Sequence, residues 1–421
     1  MNAAHAMNGP AVLPLAGRHV AIVHPAWHSC GTYRVVLGQV AAYRALGARV
    51  APVAICDLPG FTPDRAWRWR SFVEATPELS QGERWFGGAP FHAFAAPRFL
   101  RDVLWPFFHG DQAVIRAGVA ERAELALGLT DRRFDLVHCN HFFLMSVAKR
   151  LARGAPILLD SHDLQARQFA LMNEHSFLLP PRVTYEQMLA RELDLMRGAD
   201  LLLHLNAQEY DDFRALLPEK EHALLYPSAP AAPLGPGGGD ILLVASNNSA
   251  NVDSVCWFLR EVLAGAQIPQ LRIVGNVDAG VKARDPALFA AHRAAFVGRV
   301  DDPGAAYATA RLALLPTISG HGLSIKTVEA MASGLPLLST SHAFRGMSAD
   351  ISRFANVAIA DNAEDFARAL RAAAADDSVP SEAQRAASDT RRFYDAHFSL
   401  DAYRANLAAL APRLIGAAMR V

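Results

Sequence analysis

Short apolar runs alternate with helix-patterned segments along most of the chain, in two rows divided by one stretch without any periodicity. The first row is HVAIVHP (19–25), ARVAPVAIC (48–56), FDLVHCN (134–140), PILLDSH (156–162), DLLLHLN (200–206) and HALLYP (222–227). The second is ILLVAS (241–246), LRIVGN (271–276), AFVGRV (295–300), LALLP (312–316), LPLLST (335–340) and NVAIAD (356–361). Runs this apolar suit strands covered on both faces, and strands alternating with helices build doubly wound parallel sheets. Between the first two runs, Val35, Val36, Gln39, Val40, Tyr43 and Leu46 recur at helical spacing, which predicts a helix over 32–46 and a first βαβ unit. The divider, SAPAAPLGPGGG at 228–239, reads as a linker. The pattern therefore predicts an α/β domain over 1–227 and another over 240–390.

Composition agrees with two cores and narrows the partners. A chain of 421 residues exceeds one ordinary core, and its 52% hydrophobic content excludes a disordered chain. Forty-one basic and forty-one acidic residues cancel, so no global field points to nucleic acid. Cys30, Cys56, Cys139 and Cys256 form no C-x-x-C pair and read as reduced thiols. No run approaches the roughly 18–20 apolar residues that span a bilayer, and no basic segment precedes a long apolar run at the start. The expectation is a cytoplasmic protein, soluble or peripheral on the inner face of the membrane. Residues 61–109 interleave Trp67, Trp69, Trp85 and Trp105 with Arg65, Arg68, Arg70, Arg84, Arg98 and Arg101. That segment reads either as a packed insert lining an acceptor cleft or as a surface for anionic headgroups. The aromatics fall on no single helical stripe, which favours the insert.

The richest chemistry lies at 296–340. After the run LALLP, a loop holding Gly320, His321, Gly322 and Leu323 opens onto a helix that Ser324 is placed to cap. Free amides at a helix start attract anions such as a diphosphate. Lys326 and Glu329 lie three apart on that helix, one suited to phosphate charge and one to accepting hydroxyl hydrogen bonds. Gly334 and Pro336 then end the helix. Other polar residues stand at strand ends: Gly31 in HSCGTYR, His138, Asn140 and His141 after FDLVHCN, His162 and Asp163 after PILLD, and Arg299 after AFVG. Each has a plainer reading as a turn or solvated residue.

The string GHGLSIKTVEAMASGLPLLST resembles the donor-site signature of family 4 glycosyltransferases of GT-B fold: the loop, Glu329-Ala330-Met331-Ala332, Gly334 and Pro336 fall in register. The resemblance implies two Rossmann-like domains facing an interdomain cleft, with helices from about 391 to 421 returning to the first domain. It implies a nucleotide diphosphate-sugar donor, of UDP or GDP type not determined, and a glycan, lipid-linked or small-molecule acceptor. Gly320, His321, Gly322, Leu323, Ser324, Lys326, Glu329, Gly31 and Arg299 would then bind the donor. His162, with Asp163, would act beneath the donor sugar, and His138, Asn140 and His141 would face the acceptor. The family usually carries Glu-x7-Glu here; Glu329 matches the ribose-holding carboxylate, whereas His321 occupies the first position.

Retention of configuration follows from the resemblance alone. No cofactor and no metal are expected, since no paired aspartates form an Asp-x-Asp pattern and no His-Glu-x-x-His or Cys cluster occurs. The basic pair that the family often places after the first strand of its second domain is not evident in ASNNSANVDS, which leaves more of the phosphate charge to Lys326. A nucleotide-sugar epimerase of the same architecture is one alternative. A non-catalytic sugar-nucleotide-binding relative is another, given His321. A nicotinamide-dependent dehydrogenase fits less well, because the first βαβ turn lacks G-x-G-x-x-G.

Overall fold

The computed structural model describes residues 13–28, 30–56, 65–174, 176–300 and 303–418; the side chains of Trp67, Trp69, Arg65 and Arg68 lie outside what it describes. The chain divides into two compact units. One holds residues up to Leu205, Glu209–Pro227 and those from Tyr403 on; the other holds Asn206–Gln208 and Ser228–Ala402.

The first unit is built on an eight-stranded sheet ordered β4-β3-β2-β1-β5-β6-β7-β8. Its strands are β1 (His19–Pro25), β2 (Arg49–Cys56), β3 (Trp85–Gly88), β4 (Glu124–Leu125), β5 (Leu136–Asn140), β6 (Ile157–Asp160), β7 (Leu201–His204) and β8 (Glu221–Leu224). All pair in parallel except β3 with β4. Alternate residues feed opposite faces, as the period of two requires: Ala21 and Val23 enter one core, Val20 and Ile22 the other. The second core also takes Tyr33, Val36, Val40 and Tyr43 from the helix Gly31–Ala45 and Tyr403, Leu407, Ala411 and Ile415 from the helix Leu400–Ala418.

The second unit carries a six-stranded, wholly parallel sheet ordered β11-β10-β9-β12-β13-β14. These strands are β9 (Asp240–Val244), β10 (Leu271–Val274), β11 (Phe296–Gly298), β12 (Ala310–Leu315), β13 (Leu337–Ser339) and β14 (Val357–Ile359). In each unit the strand order reverses beside the first strand, at β1/β5 and at β9/β12. Ligands of such sheets bind beyond the strand ends at that reversal.

One sequence expectation is corrected. The return to the first unit begins at Tyr403 rather than near 391. The helix Asp389–His397 stays with the second unit because Arg391 donates to Ala332 O (2.9 Å), Tyr394 to Ala229 O (2.6 Å), and Phe398 O accepts from Ala229 N (2.9 Å). The Pro- and Gly-rich divider is bonded along the second unit. Gly237 N donates to Ala308 O (3.1 Å), and Arg311 Nε donates to Gly239 O (3.2 Å). Arg385, fully buried, spreads its guanidinium over the carbonyls of Ser333 (2.9 Å), Gly235 (3.2 Å) and Tyr307 (3.1 Å). Gly334 makes this possible: at φ +67 it ends the helix Ile325–Ala332, and a Cβ there would sit 2.2 Å from Arg385 O.

Candidate active site

In the second unit, the chain leaves β12, turns through Gly320 at φ +118 and Gly322 at φ +63, and enters the helix Ile325–Ala332. Ser324 stands at the N-cap but makes no capping bond. Its Oγ lies 2.9 Å from Thr327 Oγ1, and the Thr327 hydroxyl is also 2.9 Å from the backbone carbonyl of Ala343. The helix therefore begins without a side-chain cap, and its positive end faces the loop. His321 is exposed, and Gly322 and Leu323 are half-buried.

Two cations flank this loop. Lys326 Nζ donates to Asn251 Oδ1 at 2.7 Å, and burial, with a further push from Arg345, lowers its pKa to about 8. Arg345 donates to the carbonyls of His342 and His321, both at 3.3 Å, while its Nε is buried without an acceptor. A Cβ on Gly320 would come within 3.0 Å of Arg345 Nη2, so glycine there lets the guanidinium lie along the loop. His342 Nε2 closes the same turn onto Gly320 O at 3.1 Å. Glu329 sits half-buried one turn along the helix, near enough for its charge to add to the burial that raises the Tyr307 phenol well above its usual range. Arg299 is exposed beyond β11. That strand is three sheet spacings from β12, about 14 Å.

In the first unit, His141 and His162 follow β5 and β6 and meet face to face. Both hold backbone angles that side-chain-bearing residues rarely adopt, φ +71 and φ +61. Strain of this kind costs about 1–3 kcal/mol per residue and clusters at functional sites. Phe143 stacks on the far side of His141 at 5.0 Å, Trp27 meets it edge-on at 5.1 Å, and Thr32 Oγ1 lies 3.2 Å from its Nε2. Arg116 covers Trp27 at 4.9 Å. Burial holds both imidazoles below their ordinary pKa; for His162, Asp160 and Asp163 oppose the shift. Asp163 accepts from Gln168 Nε2 at 3.0 Å, where the next helix begins. Gly31 is the first residue of the helix Gly31–Ala45, and a Cβ added there would meet nothing within 4 Å.

His138 and Asn140 do not face an open surface. Both are fully buried, because β5 is a central strand between β1 and β6 with helices against it. They instead join a polar layer with Gln39, Tyr43 and Asp160. Sequence reasoning passed over Arg345, Arg116, Gln39 and Asp160. The only available signal for Arg345 was its place shortly after the strand that follows the loop; nothing in the spacing ties Gln39 to residue 162.

Two family models match the chain: residues 31–228 fit the description "Glycosyl transferase 4-like domain" and residues 239–376 fit "Glycosyl transferases group 1". The chain is a glycosyltransferase of GT-B fold and family 4 type. Solved structures share the fold. HepE from Anabaena, crystallised with UDP and glucose, is 14% identical with a TM-score of 0.55, covering 93% of this chain and 98% of its own. A glycosyltransferase from Rickettsia africae is 13% identical with a TM-score of 0.59, covering 94% and 98%. The α,α-trehalose 6-phosphate synthase of Burkholderia multivorans is 14% identical with a TM-score of 0.54, covering 96% and 98%. No curated protein matches the sequence.

Proposed function

We propose that the chain transfers a sugar from a nucleoside diphosphate donor to an acceptor hydroxyl, with the donor's diphosphate seated on the segment from Gly320 to Glu329. The observation that supports this most directly is the uncapped start of the helix Ile325–Ala332, flanked by Lys326 and Arg345. As the bond to the sugar breaks, charge develops on the leaving diphosphate, and preorganised amides and cations are worth most at that point. Arg345 stands in for the basic pair missing after β9. With these cations in place the reaction needs no metal to neutralise the leaving group, and the leaving phosphate can take the acceptor's proton on the same face. We therefore read the transfer as retaining and metal-independent, with the nucleotide sugar as substrate and no cofactor.

Glu329 accepts from the ribose hydroxyls in this reading. On the first unit, His162 is assigned to the transfer step as a neutral imidazole. UDP bound to HepE makes a uridine donor the first to try. The acceptor is a glycan, a lipid-linked species or a small molecule. Peripheral contact with the inner membrane face fits Leu100, Trp105 and Phe108, which are 49%, 61% and 51% exposed, with Arg98 and Arg101 exposed beside them. A π-helical turn over Leu100–Leu104 precedes the short helix Trp105–Phe108 and widens the local period.

Titration with UDP, GDP and ADP, followed by assay of nucleoside diphosphate release from the matching sugar nucleotides, tests the reading. One diphosphate is expected to bind, and its sugar conjugate to be consumed. Failure of all three to bind would overturn it; conversion of the donor sugar without release would mark an epimerase.

A further inference from the structure

Beneath His162 lies a buried line of hydrogen bonds whose direction is fixed at its far end. Gln39, Asn140 and Asp160 are each 0% exposed and His162 is 5% exposed. Gln39 Nε2 is 3.0 Å from Asp160 Oδ2 and 3.0 Å from Asn140 Oδ1. Gln39 Oε1 accepts from Asn140 Nδ2 at 2.9 Å, and Asn140 Oδ1 is 2.9 Å from His162 Nε2.

We propose that Gln39 and Asn140 are positioning residues that transmit the acceptor character of Asp160 to His162 and hold its ring as the Nε2–H tautomer, with Nδ1 left as the ring's acceptor. A carboxylate has no proton to give, so the amide of Gln39, not its oxygen, faces Asp160. That choice turns Gln39 Oε1 toward the amide of Asn140. A second anchor agrees: Asn140 Nδ2 is also 3.4 Å from the backbone carbonyl of Val23, which can only accept. Asn140 therefore presents oxygen to His162, and an oxygen that only accepts requires hydrogen on Nε2. Reversing either amide would press oxygen against oxygen in a site closed to water, which leaves buried groups unsatisfied. His141 lies parallel to the ring at a centroid distance of 4.0 Å and holds it in this plane.

The function of the line rests on the sugar-transfer reading, since an acceptor at Nδ1 suits a sugar or acceptor hydroxyl that must be held by its hydrogen. The tautomer itself does not depend on that reading. Long-range proton–nitrogen NMR on the full chain, with His162 assigned by the signal missing from His162→Gln, reads which nitrogen is protonated. The wild type should show hydrogen on Nε2 and none on Nδ1. Gln39→Met should give a mixture of both tautomers, lower kcat by about tenfold and leave KM for the donor unchanged. Hydrogen on Nδ1 in the wild type overturns the assignment, even if Gln39→Met does not fold. A pure Nε2–H ring in Gln39→Met overturns the role of Gln39. The expected tautomers in a chain that turns over no sugar nucleotide would uphold the line of bonds and sink the transfer reading alone.

Discussion

His141 and His162 stack with centroids 4.0 Å apart and 11° between their planes, each on a backbone turned into left-handed space. Two buried imidazoles this close disfavour protonation of both, and the lowered pKa of each follows from burial first. The pair is thus a neutral polar surface at neutral pH, suited to hydrogen bonding rather than to charge.

Removal of one ring tests whether the strain serves chemistry. His162→Ala is expected to cut turnover by roughly 10²-fold or more while nucleoside diphosphate affinity barely changes. His162→Gly should be as inactive yet about 1 kcal/mol more stable than His162→Ala, since glycine accepts φ +61 without strain. Thermal melts beside steady-state rates settle it; near-normal turnover in a folded alanine variant would reduce His162 to a turn residue.

Lys326 and Glu329 should separate by ligand. Lys326→Ala is expected to weaken a nucleoside diphosphate by about 1.5–3 kcal/mol and the free nucleoside little. Glu329→Gln should weaken both alike, because ribose contacts do not depend on the phosphates. Calorimetry with each ligand measures the split. Equal affinities across all three proteins would remove the donor from this helix.

The lowered pKa of Lys326, about 8, gives diphosphate binding a pH signature. A bound anion favours the ammonium, so above pH 8 the free protein must take up a proton to bind, and affinity falls as pH rises. Lys326→Ala should lose that slope. The sign for folding is opposite. With the folded value below that of the unfolded chain, the unfolded state holds more protons between about pH 8 and pH 10.4, and this group's contribution to stability rises with pH there. Proton uptake measured in two buffers of different ionisation heat checks the binding half; a flat profile in the wild type would contradict it.

Gly31 offers a test in which stability and binding come apart. A methyl there meets nothing within 4 Å, so Gly31→Ala should leave the melting temperature unchanged or slightly higher. If a diphosphate approaches this backbone, the same methyl should weaken it by tenfold or so, about 1.4 kcal/mol. Unchanged affinity would withdraw Gly31 from the donor site.

The exposed face of Leu100, Trp105 and Phe108 should bind vesicles containing anionic lipid, and Trp105→Ala with Phe108→Ala should abolish this while leaving turnover of a soluble acceptor intact. Sedimentation with anionic and neutral vesicles distinguishes lipid docking from a packed insert, for which neither would bind.

Much of this architecture was legible because long apolar runs leave few options: every run named in the sequence became a strand, with ends that moved by up to three residues. The strands passed over, β3 and β4, hide for physical reasons. WFGG pairs glycines with aromatics, β4 is two residues long, and both gain their pairing from the sheet edge rather than from local preference. The break after His397 carries no Gly or Pro to announce it. At the candidate site, the loop and helix of 320–329 are contiguous in sequence and could be read. Arg345 and the line from Asp160 through Gln39 to His162 are brought together only by the crossing of strands and helices, and no spacing encodes that.

The helix Leu400–Ala418 also sets an order in time. Tyr403, Leu407, Ala411 and Ile415 fill a core whose strands were laid down long before, while residues 228–402 form the other unit apart from a short segment at 206–208. At a synthesis rate of about 5–20 residues per second, the first sheet waits roughly 10–35 s with one face covered only in part, by the helix Gly31–Ala45, while the later unit emerges. A nascent chain of this protein therefore matures out of sequence: the part made first is finished last, when Tyr403, Leu407, Ala411 and Ile415 complete its core.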